Sequence, residues 1–403
     1  MASNTPNPSA LKSLLGSETA ESFLKSYWNQ RPLLVRGAIP NYTCSLEETD
    51  FVQLATSGLA EARVVRHNGP NSSHPWELIP GPLHQEDIDW AKDAPWTVLI
   101  NEMDRYEPKL ARFLSRFRFL PNWLLDDIMV SYATTGGGVG PHLDEYNVFL
   151  FQAAGHRRWQ YHEHLTQDRE LVPELTLRIL ANFTPDQDTI LAPGDMLYLP
   201  PGFAHYGTAV DEPCITYSVG FRAPSGLEVA EHLPAVLAEQ GLGMHRYVPE
   251  ASATEGDVGR VPDALDGHVR AVLEQFAADP KVREALMLRL VQRPRRTESY
   301  MPQSPGPNRL RAILAAGGSL KRLAVPEMIY TERDGTTLLH FAHESHQLPP
   351  DGLAFAQLIT GREDLDQPSL QPFLSTDQYI QLLVRMCRVG VLLPRRAPGS
   401  ERV

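Results

Sequence analysis

Hydrophobic and polar positions change period along this chain, and each change predicts a different kind of structure. Over 18–28, Ala20, Phe23, Leu24 and Tyr27 fall at i, i+3, i+4 and i+7, one stripe of an amphipathic helix. Segments 46–60 and 107–120 also read as helices, and 32–39 and 96–100 as strands. From 128 to 221 helical spacing disappears. Short runs rich in β-branched and aromatic residues alternate there with Gly, Pro and Asp turns, the pattern of a small β-barrel. After Pro224 the stripes return. Val229, Leu233, Val236 and Leu237 mark one, and Leu265, Val269, Leu273 and Phe276 a second. Val282, Leu286 and Leu290 mark a third, in a helix with Asp279 as its cap and Pro280 in its first turn. Residues 1–17 read as a loose tail, and 293–308, rich in Pro and Arg, as a linker. The last segment reads as a helix (308–316), a strand (319–323), a hairpin around Asp334 and Gly335, and two helices (353–360 and 375–389). That order suits a winged-helix unit.

Composition narrows the class. A chain of 403 residues exceeds one hydrophobic core, so two or three domains are expected. Its 42% hydrophobic and 21% charged content is that of a globular protein. No apolar run approaches a membrane span, and the first residues have neither the basic start nor the apolar stretch of a secretion leader. Cys44, Cys214 and Cys387 lie too far apart in sequence for a zinc cluster and argue against a disulfide scaffold. A cytoplasmic location and no membrane partner are therefore expected. The net charge of −12 disfavours non-specific nucleic-acid binding and favours a basic partner. The stretch 281–322 is the exception, with ten Lys and Arg against two acids. It could touch RNA, but such runs are more often solvated faces.

The candidate chemistry lies in the barrel segment. Gly136, Gly137, Gly138 and Gly140 precede His142 and Asp144, and Pro200, Pro201 and Gly202 precede His205. Two imidazoles and one carboxylate form the facial triad that holds non-haem Fe(II) and leaves positions open for co-substrates. The His-x-acid spacing alone is weak, since His84 and Glu86 share it. Context separates the two pairs: strand-like runs at 127–133 and 146–152 flank His142, and the strand 196–199 leads into His205. Alternation places His142, Asp144 and Tyr146 in phase at a strand entrance. It also puts Asp127, Met129, Ser131 and Ala133 on one face with Asp126 facing away from it, and Arg157 on one face with Trp159 while Arg158 takes the opposite one. The segments around His84, His162 to His164 and His343 to His346 read as surface polar stretches.

Residues 128–160, 194–205 and 217–222 closely resemble the JmjC-type ribosomal oxygenases, the cupin-4 family. The similarity is dense from about 120 to 225 and thinner elsewhere. It is strongest to the bacterial branch, which hydroxylates an arginine of large-subunit ribosomal protein sixteen. The resemblance implies an α+β chain: a double-stranded β-helix (jelly-roll, cupin) domain over 1–225, a helical dimerisation region over 226–295 and a winged helix over 296–403. It implies Fe(II) held by His142, Asp144 and His205, with 2-oxoglutarate and O2 as co-substrates. Arg157 and Ser131 would hold 2-oxoglutarate, and Asp127, Met129, Tyr146 and Ser218 would contact the substrate. The implied reaction is hydroxylation of an arginine β-carbon by a homodimer. Tyr206, following the distal histidine, departs from the family pattern, as does the longer tail. Two readings of the same fold stay open, a histidine hydroxylase and a lysine demethylase; Asp127 favours a cationic side chain. A reading of another class is a non-catalytic adaptor that binds ribosomal components. The acidic region 351–366 favours a structural or protein-docking wing over a DNA-binding one.

Overall fold

Antiparallel strands carry the site. They are β1 (Leu33–Val35), β2 (Ala62–His67), β3 (Trp76–Pro80), β4 (Trp96–Ile100), β5 (Leu125–Ala133), β6 (Asn147–Ala154), β7 (Arg157–Tyr161), β8 (Gln187–Leu191), β9 (Met196–Leu199), β10 (His205–Ala209) and β11 (Cys214–Phe221). They form an 8-stranded sheet in the order β1-β9-β6-β11-β5-β4-β2-β3 and a 3-stranded sheet in the order β10-β7-β8. This is the expected jelly-roll barrel. The computed structural model describes residues 14–69, 72, 75–91, 94–248, 261–291, 305–322, 328–342 and 344–396. The tail at 1–13, most of the linker, Leu323 and His343 lie outside the described residues. The chain divides into two units, Met1–Ala223 and Pro224–Val403.

The long apolar run at 146–152 is explained by its place. β6 sits inside the large sheet, between β9 and β11, and is buried on both faces. Phe149 and Phe151 face a core covered by the helices α1 (Ala20–Ser26), α2 (Glu48–Thr56), α3 (Gln85–Ala91) and α4 (Pro108–Leu114), which contribute Phe23, Phe51, Ile88 and Phe113. Val148 and Leu150 face the other way, onto Trp159, Tyr161 and Leu191 of the small sheet. The gap between the two sheets is where the period-2 alternation delivers its side chains.

Three expectations change. The strand at 32–39 shrinks to β1, because only Leu33, Leu34 and Val35 pair with β9. The strands β2 and β3 were not expected; Arg63, Arg66 and His67 interrupt what would otherwise read as an apolar run, yet β2 pairs with β4 and widens the sheet. The segment 162–186 is not strand and turn but irregular chain with one bridge, between Leu171 and Leu180.

The second unit contains α5 (Gly226–Glu239), α6 (Asp263–Ala278), α7 (Pro280–Val291), α8 (Pro307–Ala315), β12 (Ser319–Arg322), β13 (Met328–Arg333), β14 (Thr336–Phe341), β15 (Glu344–Gln347), α9 (Gly352–Gly361), β16 (Asp364–Asp366), α10 (Gln367–Leu370), α11 (Asp377–Arg388) and β17 (Leu392–Arg395). Ser225 closes a capping box on α5, and the Asp279 carboxylate accepts the Lys281 N–H at the start of α7. Asp334 and Gly335 both take positive φ (49° and 72°), which joins β13 to β14 by the two-residue turn whose twist suits a hairpin. Leu310, Phe355, Ile359, Tyr379 and Leu383 build the core of this unit. By contrast α6 buries no residue, and its Val269 and Leu273 are exposed. Among the described residues no helix is long and apolar enough to cross a membrane.

Phe149 is fully buried amid Phe23, Phe117, Tyr198 and Phe221, with ring centroids 4.8–5.7 Å away. Phe149→Ala should cost about 3–5 kcal/mol of stability. Denaturant melts would show it, and a loss under about 1 kcal/mol would contradict this packing.

Candidate metal centre

His142 and His205 are joined by their own main chains. His142 N–H donates to His205 O at 3.0 Å, and His205 N–H returns the bond to His142 O at 2.8 Å. A third bond, from Gly202 N–H to Asp144 O at 2.7 Å, ties the same two segments together. His205 opens β10 and His142 and Asp144 stand just ahead of β6, at its entrance, as expected. Their convergence comes from this bridge and not from strand alternation. Glycine makes the approach possible: a Cβ on Gly138 would sit 2.3 Å from Gly207 O, and Gly140 holds φ at 81°. On the far side, Asn147 is held by Tyr198 and Asn29, which pins the start of β6 just after the ligand segment.

The donor atoms of His142, Asp144 and His205 all lie within 4.8 Å of one another, and His205 Nε2 is 3.7 Å from Asp144 Oδ2. Both imidazoles are oriented by backbone. His142 Nδ1 lies 2.9 Å from Gly140 O, and His205 Nδ1 lies 3.0 Å from Phe203 O. A carbonyl only accepts, so each Nδ1 carries the proton and each Nε2 lone pair is left for a metal. Burial, reinforced by the neighbouring His142, pushes His205 down to about 4, while Asp144 pulls weakly the other way. His205 is therefore a neutral ring near pH 7, the form that binds metal. These residues fit an ion of the facial-triad kind.

Arg157 points into the barrel, 3% exposed, while Arg158 lies outside and pairs with Asp188. The Nε and Nη2 atoms of Arg157 are buried with no hydrogen-bond partner among the described residues. Its Cζ stands 5.7 Å from the Trp159 ring, and that ring is 5.8 Å from the ring of His205. A buried guanidinium without an acceptor is costly, and an anionic ligand would satisfy it. Ser131 (5% exposed) lies opposite Thr216, and Met129 opposite Ser218 (9% exposed), in the pairing of β5 with β11.

One expectation fails here. Between Val219 and Phe221 the pairing with β5 slips, so Asp126 and Asp127 together face Gly220 across a β-bulge. The bulge breaks alternation, and Asp126 does not simply turn away. A Cβ on Gly220 would lie 3.5 Å from Asp126 Cβ, 3.9 Å from Asp127 Oδ1 and 3.7 Å from the Tyr146 ring. Burial, then the charges of Asp144, Asp127 and Asp126, hold the Tyr146 phenol well above its usual range, so it stays a hydroxyl; Arg63 opposes this. Asp127 Oδ2 accepts the Glu102 N–H at 2.8 Å. Arg63 was missed in the sequence. Its guanidinium reaches Met129 Sδ and Asn101 Oδ1, both at 3.3 Å. The Val64–Val65 pair was the available signal for its strand. The stretch His162 to His164 joins no metal-competent group among the described residues, nor does the His84 pair.

The fold and this donor set define a metal-binding jelly-roll protein. Residues 112–229 match the JmjC domain family, and the chain carries a JmjC domain. Its sequence is 38% identical over 208 residues to a probable ribosomal oxygenase of Haemophilus influenzae, covering 51% of this chain and 50% of that one. It is 32% identical over 253 residues to the ribosomal protein uL16 3-hydroxylase of Escherichia coli, covering 62% of this chain and 66% of that one. The chain thus spans half to just under two thirds of these relatives' lengths. Its fold matches the crystal structure of Escherichia coli YcfD with a TM-score of 0.75 over 94% of this chain and 99% of that one, at 24% identity. A YcfD structure in complex with cobalt and 2-oxoglutarate matches with a TM-score of 0.73, over 94% and 98% of the two chains at 24% identity.

Replacing Asp144 with Ala should abolish stoichiometric Co(II) binding, followed by its visible absorption, whereas Arg158→Ala should leave binding intact. Full Co(II) binding by the Asp144 variant would remove the carboxylate from the ligand set.

Proposed function

We propose that the protein is an Fe(II)- and 2-oxoglutarate-dependent oxygenase that hydroxylates the β-carbon of an arginine in ribosomal protein uL16. The observation that carries the co-substrate assignment is the buried guanidinium of Arg157, two of whose nitrogens have no partner among the described residues and which is separated from His205 by one ring, that of Trp159. His142, Asp144 and His205 hold the ion through two Nε2 atoms and one carboxylate. Arg157 clamps the distal carboxylate of 2-oxoglutarate with a permanent charge and a forked donor set, and Ser131 adds a hydroxyl. When bound, iron, 2-oxoglutarate and oxygen supply the means to insert one oxygen atom into an unactivated C–H bond. The chain's own contribution is positioning. Asp127 receives the substrate guanidinium, Met129 and Tyr146 line its methylene stem, and Ser218 completes the wall. The acidity at Asp126 and Asp127 supports a cationic side chain, and the names of the relatives support a ribosomal protein as its source.

Incubation with Fe(II), 2-oxoglutarate and a uL16 peptide should add one oxygen to an arginine, read by mass spectrometry. Loss of methylene units from a methylated lysine would instead mark a demethylase. Arg157→Ala should raise the 2-oxoglutarate concentration needed by roughly a hundredfold, the worth of a charge-assisted clamp, without altering metal binding. Unchanged co-substrate dependence would refute the clamp.

We assign 226–295 to dimerisation, 296–403 to a winged helix and the working site to the cytoplasm, where ribosomes are. The exposed Val269 and Leu273 on α6 support a partner copy covering that face. The acidic segment around Asp364 and Asp366 gives no support to nucleic-acid binding by the wing. Leu273→Asp should convert a dimer to a monomer in sedimentation experiments; an unchanged sedimentation coefficient would place the interface elsewhere.

A further inference from the structure

The pocket beside Tyr146 contains a cation that the proposed reaction has not yet used. Arg63 stands in the row of cross-strand partners that runs through Leu99 and Ser131 to Thr216, so it shares the inward face of the large sheet with them. Cross-strand neighbours project on the same side. The residue is half-buried, and its strand is an inner one, flanked by β3 and β4.

A guanidinium carries five N–H donors in a fixed fork. Arg63 uses them on one amide oxygen, Asn101 Oδ1, and on a thioether, Met129 Sδ, both at 3.3 Å. The bond to Asn101 is long, and sulfur is a weak acceptor. Among the described residues Arg63 forms no ion pair, although Asp126 and Asp127 lie close enough to Tyr146 for their charges to be felt there together with its own. No ion pair joins Arg63 to Asp127, whose Oδ2 accepts the Glu102 N–H. Arg63 therefore holds spare donor capacity beside the methionine that is to line the substrate stem.

The chemistry of the proposed target says what such a donor is for. A β-carbon is one bond from the main chain. Bringing it to the metal carries the flanking peptide groups into the pocket and strips water from their carbonyl oxygens. A desolvated carbonyl needs a donor. The carboxylates of Asp126, Asp127 and Asp144 can only accept.

We propose that Arg63 binds a main-chain carbonyl of the substrate next to the hydroxylated residue, and so sets which carbon faces the metal. This rests on the reading of the site as a peptidyl-arginine hydroxylase. Arg63→Met keeps the stem and its packing on Met129 but removes the donors; Arg63→Lys keeps the charge. The test uses the full chain loaded with Fe(II) and 2-oxoglutarate, without oxygen, and a fluorescent uL16 peptide read by anisotropy. Arg63→Met should weaken peptide binding about tenfold or more, with Arg63→Lys between it and the native protein. Affinity for Co(II) and 2-oxoglutarate should not change, which separates loss of a substrate contact from a damaged barrel. With oxygen admitted, the residual product of Arg63→Met should carry hydroxyl on more than one carbon. Peptide binding by Arg63→Met as tight as native, or tighter, overturns the proposal, as does a matching loss of co-substrate affinity. Failure of the native protein to bind the peptide at all would instead bring down the hydroxylase reading, and this inference with it.

Discussion

Two hydrogen bonds exchanged between the main chains of His142 and His205 organise the site. Each side chain is then held a second time, by its own Nδ1 proton on a nearby carbonyl, Gly140 O for one and Phe203 O for the other. Position and tautomer are thus set by backbone alone, before any metal arrives. The arrangement tolerates little bulk. Gly138 passes so close to Gly207 O that a side chain there would collide with main chain, and main chain cannot give way as a flexible side chain can.

Around that bridge Arg157 and the paired acids stand at different places. Arg157 is buried on β7, beyond Trp159 as seen from His205. The acids Asp126 and Asp127 gather at the bulge against Gly220, near Tyr146. A carboxylate ligand and a cationic side chain would therefore be drawn to different places. His205 stays neutral because it is buried, and Tyr146 stays protonated because it is buried among carboxylates. The same low-polarity interior thus favours the ligand form of one group and the hydroxyl form of the other.

Much of this was legible beforehand, for identifiable reasons. β4, β9 and the start of β10 fall where turn residues and apolar runs placed them, since short buried strands leave an unambiguous pattern. Arg157 and Arg158 divide inward and outward because β7 is regular and pairs on both edges. The Asp126–Asp127 pair defeated the same rule because a bulge adds one residue on one strand and shifts every face beyond it. The charged positions of β2 concealed its strand, and with it Arg63, because pairing with β4 is a long-range event that local composition does not record.

By itself, then, the order of residues determined which side chains could serve: two histidines and an aspartate in glycine- and proline-marked turns, an arginine in phase with a tryptophan, and amphipathic helices after Pro224. Those are properties of period and of residue chemistry, and they survive without coordinates. Only the tertiary structure decided that His142 and His205 meet, that Asp126 joins Asp127, and that Arg63 reaches Met129. Each of those depends on the register between strands far apart in sequence, and register is fixed by the packing of whole faces rather than by any segment alone.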